Sequence, residues 1–329
     1  MLATDIGRRS DIDGYRAAMP TEHAYAAPDP PGSRGHLLDL YAPDEGADGS
    51  ARPLVIWSSG SAFLSDDGKA GADAMAERFA GAGWVVAGVS VRSSGQAVFP
   101  AQVHDVKAAI RWLRAHATEH AIDPERLAII GNSSGGWVAS MAALTAGHDE
   151  LEGLVGGHLT ESSSVTAAVD LYGPTAFLQM DAHMSPASID EFNAMVQTTD
   201  GHNDAASPES RLLGAPITTV PAACAAANPA AYASSSAPAM LIVHGQADQL
   251  VPHHQSELLY EALAAAGADV TFVSIPGNRH EHPYLADASH SDGRTVHTTR
   301  AADDPDVVTL RDTGPTWVVV EGFLRRALD

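Results

Sequence analysis

The sequence lacks the long apolar runs and the cysteine pairs that mark several large classes of protein. No uninterrupted apolar segment approaches the roughly 18–20 residues that a membrane-spanning helix needs. A single cysteine, Cys224, excludes an internal disulfide and a zinc site built from several cysteines, and we expect it to be a small structural residue. The N-terminal stretch has no apolar core of a secretory signal, which predicts a cytoplasmic protein.

Positive charge is also scarce. Lysine and arginine number 19 against 41 aspartates and glutamates, which gives a formal net charge of −22. Such a surface repels the phosphates of nucleic acids and anionic lipid surfaces, so we expect neither as a partner. The hydrophobic fraction of 45% indicates a chain that folds around a core, and the length suits one large α/β domain over residues 1–329.

Apolar, strand-like runs alternate with helical patterns along most of the chain. The run Trp84–Val91 is typical of a buried strand, whereas the segment that opens at Pro100 places its apolar residues on one helical face. This alternation predicts an α/β fold, with a mostly parallel central sheet and helices on both of its faces. Sheets of this kind carry their sites at the carboxyl ends of the strands.

The segment Leu127–Trp137 carries the pattern Gly131-x-Ser133-x-Gly135 between an apolar strand and a helix of small residues. The bare pattern is weak, but a strand, a sharp turn and a helix together form the setting of a nucleophile elbow, whose turn needs glycines. The start of the helix also brings backbone N–H groups close to the serine. We therefore predict Ser133 as a nucleophile. Ser134 is the alternative, but it has no glycine two residues before it.

A serine hydroxyl needs a base to take its proton, and in such sheets the acid and then the histidine follow the serine along the chain. Asp248 follows the strand Ala239–Val243, and His280 follows the next strand, so both loops reach the same edge of the sheet as Ser133. We predict His280 as the general base and acid and Asp248 as the group that orients it. His282 is the alternative base.

Acyl transfer also needs N–H groups that face the developing negative charge. We predict Ser134, which follows the nucleophile, and Ser61 and Ala62, in the loop after the strand Leu54–Trp57, as this oxyanion hole. Three large side chains flank these loops and are predicted to line the substrate pocket, although ordinary core packing is an equal alternative: Phe63, Trp137 and Tyr172.

Two segments interrupt the alternation. Residues 173–236 carry Pro, Ser, Asp, Asn and Met without a clean period, and we predict an inserted cap or lid there. Residues 282–306 are polar and follow His280, and we predict a loop at the rim of the site. We predict no metal and no cofactor, because no metal-ligand spacing appears among the histidines and aspartates of this region: His280, His282, Asp287, His290, Asp292 and His297.

Together the motifs resemble α/β-hydrolases of the acetyl-esterase, feruloyl-esterase and lipase-like group. The matching stretches, spread over residues 36–328, include IDPERLAIIGNSSGG, SRLLGAP, LIVHGQADQLVP and TFVSIPGNRH. The resemblance implies an α/β-hydrolase fold and serine-dependent hydrolysis of small acyl esters, with Ser133, Asp248 and His280 at the triad positions. One departure bears on substrate scope and rate: the usual His-Gly-Gly-Gly stretch is replaced by Ser59-Gly60-Ser61-Ala62-Phe63.

Other functions remain open from the sequence alone. An amidase or formamidase, or a lactonase or deacylase of a secondary metabolite, would use the same three residues. The altered stretch Ser59–Phe63 also fits a catalytically weak binding protein with a hydrolase fold, and the C-terminal histidines leave a metal-dependent enzyme as a further alternative. The expected partner is a small-molecule ester, and the sequence does not indicate an oligomeric state.

Overall fold

The computed structural model describes residues 19–42, 50–281, 283–286, 292–299, 306–309 and 315–329. In chain order the strands are β1 (Thr21–Ala24), β2 (Leu37–Tyr41), β3 (Arg52–Ser58), β4 (Val85–Val89), β5 (Ile122–Asn132), β6 (Ala167–Leu171), β7 (Ala239–Gly245), β8 (Val270–Ile275), β9 (Thr295–Thr299) and β10 (Asp306–Thr309). They form one sheet in the order β1-β2-β4-β3-β5-β6-β7-β8-β9-β10. The strands from β4 to β8 in this order run parallel, and antiparallel pairs extend the sheet at both edges.

Helices connect most of the parallel strands. In chain order the described α-helices are α1 (Ala72–Phe79), α2 (Ala101–Ala115), α3 (Ser134–Leu144), α4 (Asp149–Glu152), α5 (Pro186–Val196), α6 (Pro208–Leu213), α7 (Pro221–Ala226), α8 (His254–Ala265), α9 (Pro283–Ala286) and α10 (Thr316–Leu328).

The central strands are apolar throughout because both faces of the sheet are covered. In β3, Leu54 and Ile56 belong to one core, which they share with residues of α2, α3 and α8. Val55 and Trp57 face the other way and pack with residues of α1 and α10. Side chains alternate between the two faces of a strand, so a strand covered on both sides needs apolar residues at every position. The predicted parallel sheet with helices on both faces is confirmed.

Helix α3 lies inside the protein, and every one of its residues is buried. Its sequence, SGGWVASMAAL, consists mainly of small residues. A helix that is apolar or small on all sides is one that packs inside the protein. Because α3 begins directly after β5, its first residues lie at the carboxyl edge of the sheet, where a site is expected.

The chain between β6 and β7, residues 172–238, is here called the β6–β7 segment. It contains α5, α6, α7 and several single 3-10 turns, which agrees with the loss of periodicity in the sequence. Phe177, Met180, Leu212 and Ile217 anchor it in the core that α3 shares. The segment therefore packs on the main body of the protein, and its predicted role as a cap stays a prediction at this point.

The C-terminal region corrects one expectation. The sequence predicts a loop over residues 282–306, but residues 295–299 form strand β9, which pairs antiparallel with β8. Residues 282, 287–291 and 300–305 lie outside the described residues, so the predicted rim position of this region stays a prediction. In the described part of the chain, no helix has the length and apolar character that crossing a bilayer would require.

Candidate active site

The turn between β5 and α3 holds Ser133 in an unusual backbone conformation, with φ 53° and ψ −127°. A Cβ atom at Gly131 would lie 1.9 Å from the carbonyl oxygen of Gly135, and one at Gly135 would lie 2.0 Å from that of Ser58. No side chain fits at either place, which explains both glycines of the sequence pattern. The N–H of Ser133 donates to the carbonyl of Leu171 in the neighbouring strand at 2.8 Å and so fixes the turn against the sheet.

The structure brings the three predicted triad residues together. His280 Nε2 lies 2.9 Å from Ser133 Oγ, and His280 Nδ1 lies 2.7 Å from Asp248 Oδ2. The side chain of Asp248 is fully buried, while that of His280 is 12% exposed. A neutral imidazole that donates from Nδ1 to Asp248 leaves Nε2 free to accept the hydroxyl proton of Ser133.

Asp248 is held by hydrogen bonds to both carboxylate oxygens. Its Oδ1 accepts from the N–H groups of Leu250 at 2.8 Å and Val251 at 2.9 Å. Its Oδ2 also lies 3.2 Å from Nε2 of His244, in addition to His280. Burial alone raises the pKa of Asp248, but the charge of His280 and the hydrogen bonds from both histidines outweigh it and hold the pKa well below its usual value. The carboxylate therefore stays ionised.

His244 is a site residue that sequence reasoning missed. It is fully buried, with Nδ1 at 2.7 Å from Ser256 Oγ and Nε2 within 3.0 Å of the Val251 carbonyl. It contacts Asp248 and not the nucleophile, so it positions the acid. The sequence signal that could have identified it is its position near the carboxyl end of β7, four residues before Asp248.

The predicted oxyanion hole needs one correction. The N–H of Ser61 donates to Ser134 Oγ at 2.8 Å, so it is already occupied, and Ser61 does not line the cavity beside Ser133. Ala62 and Ser134 do line it. Ala62 and Phe63 have φ values of 52° and 61°, so the loop turns sharply where the sequence departs from the usual glycines. The described geometry thus leaves Ala62 and Ser134 as candidate donors.

A cavity of about 50 Å³ opens beside Ser133 and His280. Phe63 lines it, as predicted, together with Leu250 and Val251 from the loop of the acid. Another part of its wall comes from the β6–β7 segment and consists of Pro174, Phe192, Val196, Pro208 and Glu209. Apart from His280, Glu209 is the one ionisable side chain among the described residues that line the cavity.

Trp137 and Tyr172 do not line the cavity, which corrects their predicted role. Trp137 has no exposed surface, and its indole N–H donates to the carbonyl of Ala227 at 2.7 Å. Its ring meets Phe63 edge-on at 5.4 Å, so it supports the pocket wall from behind. Tyr172 is 1% exposed and packs edge-on against His280 at 4.8 Å, where it restricts the imidazole.

No group of three or more His, Cys, Asp or Glu side chains converges as metal ligands within the described ranges. His297 lies in β9 and stacks on Phe272 at 5.7 Å. His282, Asp287 and His290 fall outside the described residues. Cys224 is buried with its thiol 3.4 Å from the carbonyl of Ile217, as expected for a structural residue.

Comparisons with known proteins point in one direction. The BD-FAE family model matches residues 38–263. Esterase LipQ of Mycobacterium tuberculosis is 29% identical over 84% of this chain and 62% of its own length. The probable carboxylic ester hydrolase LipM of the same organism is 28% identical over 82% of this chain and 57% of its own length. The chain therefore spans less than two thirds of the length of these curated relatives.

A solved structure gives a closer match in length. A truncated form of a carbohydrate esterase from gut microbiota is 32% identical, with a TM-score of 0.68. The match covers 81% of this chain and 91% of that one.

Proposed function

Because the chain belongs to the BD-FAE family, whose fold is that of the α/β-hydrolases, we propose that it is a serine esterase that hydrolyses a small carboxylic ester. The observation that carries this proposal is the position of His280, within hydrogen-bonding distance of both Ser133 Oγ and the Asp248 carboxylate. The relatives named as esterases support the same reaction class.

In the proposed reaction, His280 Nε2 takes the hydroxyl proton as Ser133 Oγ attacks the ester carbonyl. The ionised Asp248 keeps the imidazole in the correct tautomer and stabilises the imidazolium that forms. The N–H groups of Ala62 and Ser134 are the proposed donors to the oxyanion of the tetrahedral intermediate.

The intermediate then collapses. The alcohol leaves with the proton from His280, and an acyl ester on Ser133 remains. Water enters, gives a proton to His280 Nε2 and attacks the acyl carbonyl, and the second intermediate releases the carboxylic acid and restores the serine hydroxyl. Atoms and protons balance over the two steps, and the reaction consumes one water.

The size of the cavity supports a small substrate. A volume of about 50 Å³ beside Ser133, with mostly apolar walls, supports a small apolar acyl group. One of its walls belongs to the β6–β7 segment, and we propose that this segment acts as the cap that encloses the substrate.

The test is hydrolysis of p-nitrophenyl acetate and p-nitrophenyl butyrate by the natural protein and by Ser133→Ala. We expect kcat/KM to fall by at least about 10⁴-fold in the variant, because the nucleophile is absent. A fluorophosphonate probe should label the natural protein and Ser134→Ala but not Ser133→Ala. Full activity or labelling in Ser133→Ala would overturn the assignment, and Ser235→Ala, at an exposed serine, is the matched control that should keep natural activity.

A further inference from the structure

The wall of the cavity that the β6–β7 segment forms contains a buried carboxyl group that the proposed reaction does not use. Glu209 lies at the start of α6 and is 4% exposed. Its Oε2 atom has no hydrogen-bond partner among the described residues, and its neighbours in this wall, Phe192, Val196 and Pro208, are apolar. A buried polar oxygen without a partner costs free energy, so a substrate group that hydrogen-bonds Glu209 from the cavity would stabilise this wall.

The groups behind Glu209 already satisfy one another. His202 Nδ1 lies 2.6 Å from Asp181 Oδ1, and Nε2 lies 3.0 Å from the carbonyl of Leu250. Both ring nitrogens face acceptors, so both carry hydrogens and the imidazole is cationic. Burial lowers the pKa of His202, but the charges of Glu209 and Asp181 and the bond to Leu250 outweigh it and raise the pKa. Phe192 lies against the ring at 3.9 Å, and its π face also favours the cation.

The charge state of Glu209 follows from this arrangement. Asp181 and His202 form a balanced ion pair, and the pKa of Asp181 is lowered because hydrogen bonds from His202 outweigh its burial. Burial raises the pKa of Glu209; the charge of His202 opposes this, and the charge of Asp181 adds to it. The pKa of Glu209 is therefore raised, and in its protonated form the side chain offers one hydrogen-bond donor and an acceptor.

We propose that Glu209 is a specificity-determining residue that hydrogen-bonds a neutral hydroxyl group carried by the ester substrate close to its reacting carbonyl. The inference rests on the proposed esterase function and adds the substrate class, which is a hydroxylated small ester. A hydroxyl both donates and accepts, as a carboxyl does. An alkyl group leaves Oε2 unpaired, a carboxylate finds no counter-charge, and an ammonium group would bring an unbalanced charge into an apolar cavity unless Glu209 ionises.

The experiment compares matched esters that differ by one group. Methyl 3-hydroxybutyrate against methyl butyrate tests a hydroxyl on the acyl side, and 2-hydroxyethyl butyrate against propyl butyrate tests one on the alcohol side. We expect the natural protein to favour the hydroxylated member of at least one pair by about 10- to 100-fold in kcat/KM. Glu209→Leu should abolish that preference while butyrate esters are still hydrolysed. Glu209→Gln, which keeps a neutral donor and acceptor, should retain most of it.

The controls separate the possible failures. Glu77→Leu, an exposed glutamate on α1, should leave every ratio unchanged, and a thermal melt shows whether Glu209→Leu folds. If Glu209→Leu does not fold, the proposal is judged from the kcat/KM ratios of the two ester pairs in the natural protein and in Glu209→Gln. Hydrolysis of butyrate esters with no hydroxyl preference in either pair would overturn the role of Glu209 and leave the esterase intact.

Two further outcomes would also reject the proposal. A preference for methyl 3-aminobutyrate as its cation that disappears in Glu209→Gln would replace the hydroxyl with an ammonium ligand. A natural protein that hydrolyses none of these esters, nor the p-nitrophenyl esters, would reject the proposed function itself and this inference with it.

Discussion

The two walls of the cavity differ in how their polar groups are satisfied. On the wall formed by the sheet, the oxygens of Asp248 and the nitrogens of His280 all have partners from the ends of strands and the loops that follow them. On the wall formed by the β6–β7 segment, Glu209 Oε2 has no partner in the described part of the chain. A reacting group must be oriented before the substrate binds. A group that recognises the substrate must instead keep an unpaired donor or acceptor, to which the bound substrate forms a hydrogen bond.

The largest expected effect comes from replacing Asp248, the acid on the side of the cavity that the sheet forms. Asp248→Asn keeps the size of the side chain but can favour the wrong tautomer of His280. We expect kcat/KM for p-nitrophenyl butyrate to fall by about 10⁴-fold. Asp269→Asn, an exposed aspartate just before β8, is the matched control and should have natural activity. An Asp248→Asn variant that loses less than tenfold would contradict the role of this carboxylate.

The next effect concerns Trp137, whose hydrogen bond connects helix α3 to the β6–β7 segment. Trp137→Leu removes a fully buried indole and its bond to Ala227. We expect the free energy of unfolding, measured with urea, to fall by about 3 kcal/mol. Trp112→Leu, which removes a partly exposed indole, should cost about 1 kcal/mol. A Trp137 variant with natural stability and a raised KM would restore the substrate-binding role that the structure withdraws.

A smaller effect should follow from the contact behind the candidate oxyanion hole. Ser134→Ala removes the acceptor of the Ser61 N–H and so loosens the loop that carries Ala62. We expect kcat to fall by about tenfold with KM unchanged, which is less than the roughly 10²–10³-fold cost of losing a direct donor. Ser61→Ala removes a hydroxyl that makes only long contacts to Ser65, at 3.3 and 3.5 Å, and should have natural activity. Equal losses in both variants would argue against this positioning role.

The smallest expected effect is a pH dependence of the folding stability that comes from His202, in the β6–β7 segment. The pKa of His202 is raised in the folded protein, so its contribution to stability is complete below the unfolded-state value of about 6.5. The contribution is lost as pH rises through the higher, folded-state pKa. We expect the stability difference between the natural protein and His202→Gln to narrow from pH 6 to pH 9. A stability difference for His202→Gln that stays constant with pH would mean that the imidazole is neutral throughout.

The contrast between the walls also explains which residues the sequence could predict. Ser133 lies in a turn whose sterics demand glycines at fixed spacing, and Asp248 and His280 each follow an apolar strand of the same sheet. These requirements are local, so they leave a pattern in the chain. The α/β fold could be predicted in the same way, from the alternation of buried strands and helices along the chain.

Other features depend on contacts between distant parts of the chain. Glu209 lies in a segment without periodicity, and a single glutamate there looks like any surface residue until the fold buries it. The loss of Ser61 as a donor depends on the side chain of Ser134, and the indole N–H of Trp137 donates to the carbonyl of Ala227, which lies in another segment. Strand β9, Thr295–Thr299, is polar but rich in β-branched residues, and that signal favoured a strand over the predicted loop.

The hydrogen bond from Trp137 to Ala227 has a consequence for engineering. It links the helix that follows the nucleophile to the segment that forms another part of the cavity wall, so the two are not independent modules. A chimaera that receives residues 172–238 from a relative must keep the backbone path that places the carbonyl of residue 227 at the indole N–H of Trp137. Without that acceptor, an indole with no access to water would keep an unpaired N–H. A graft that exchanges this segment together with Trp137 avoids the problem and is the form in which substrate preference should be transplanted.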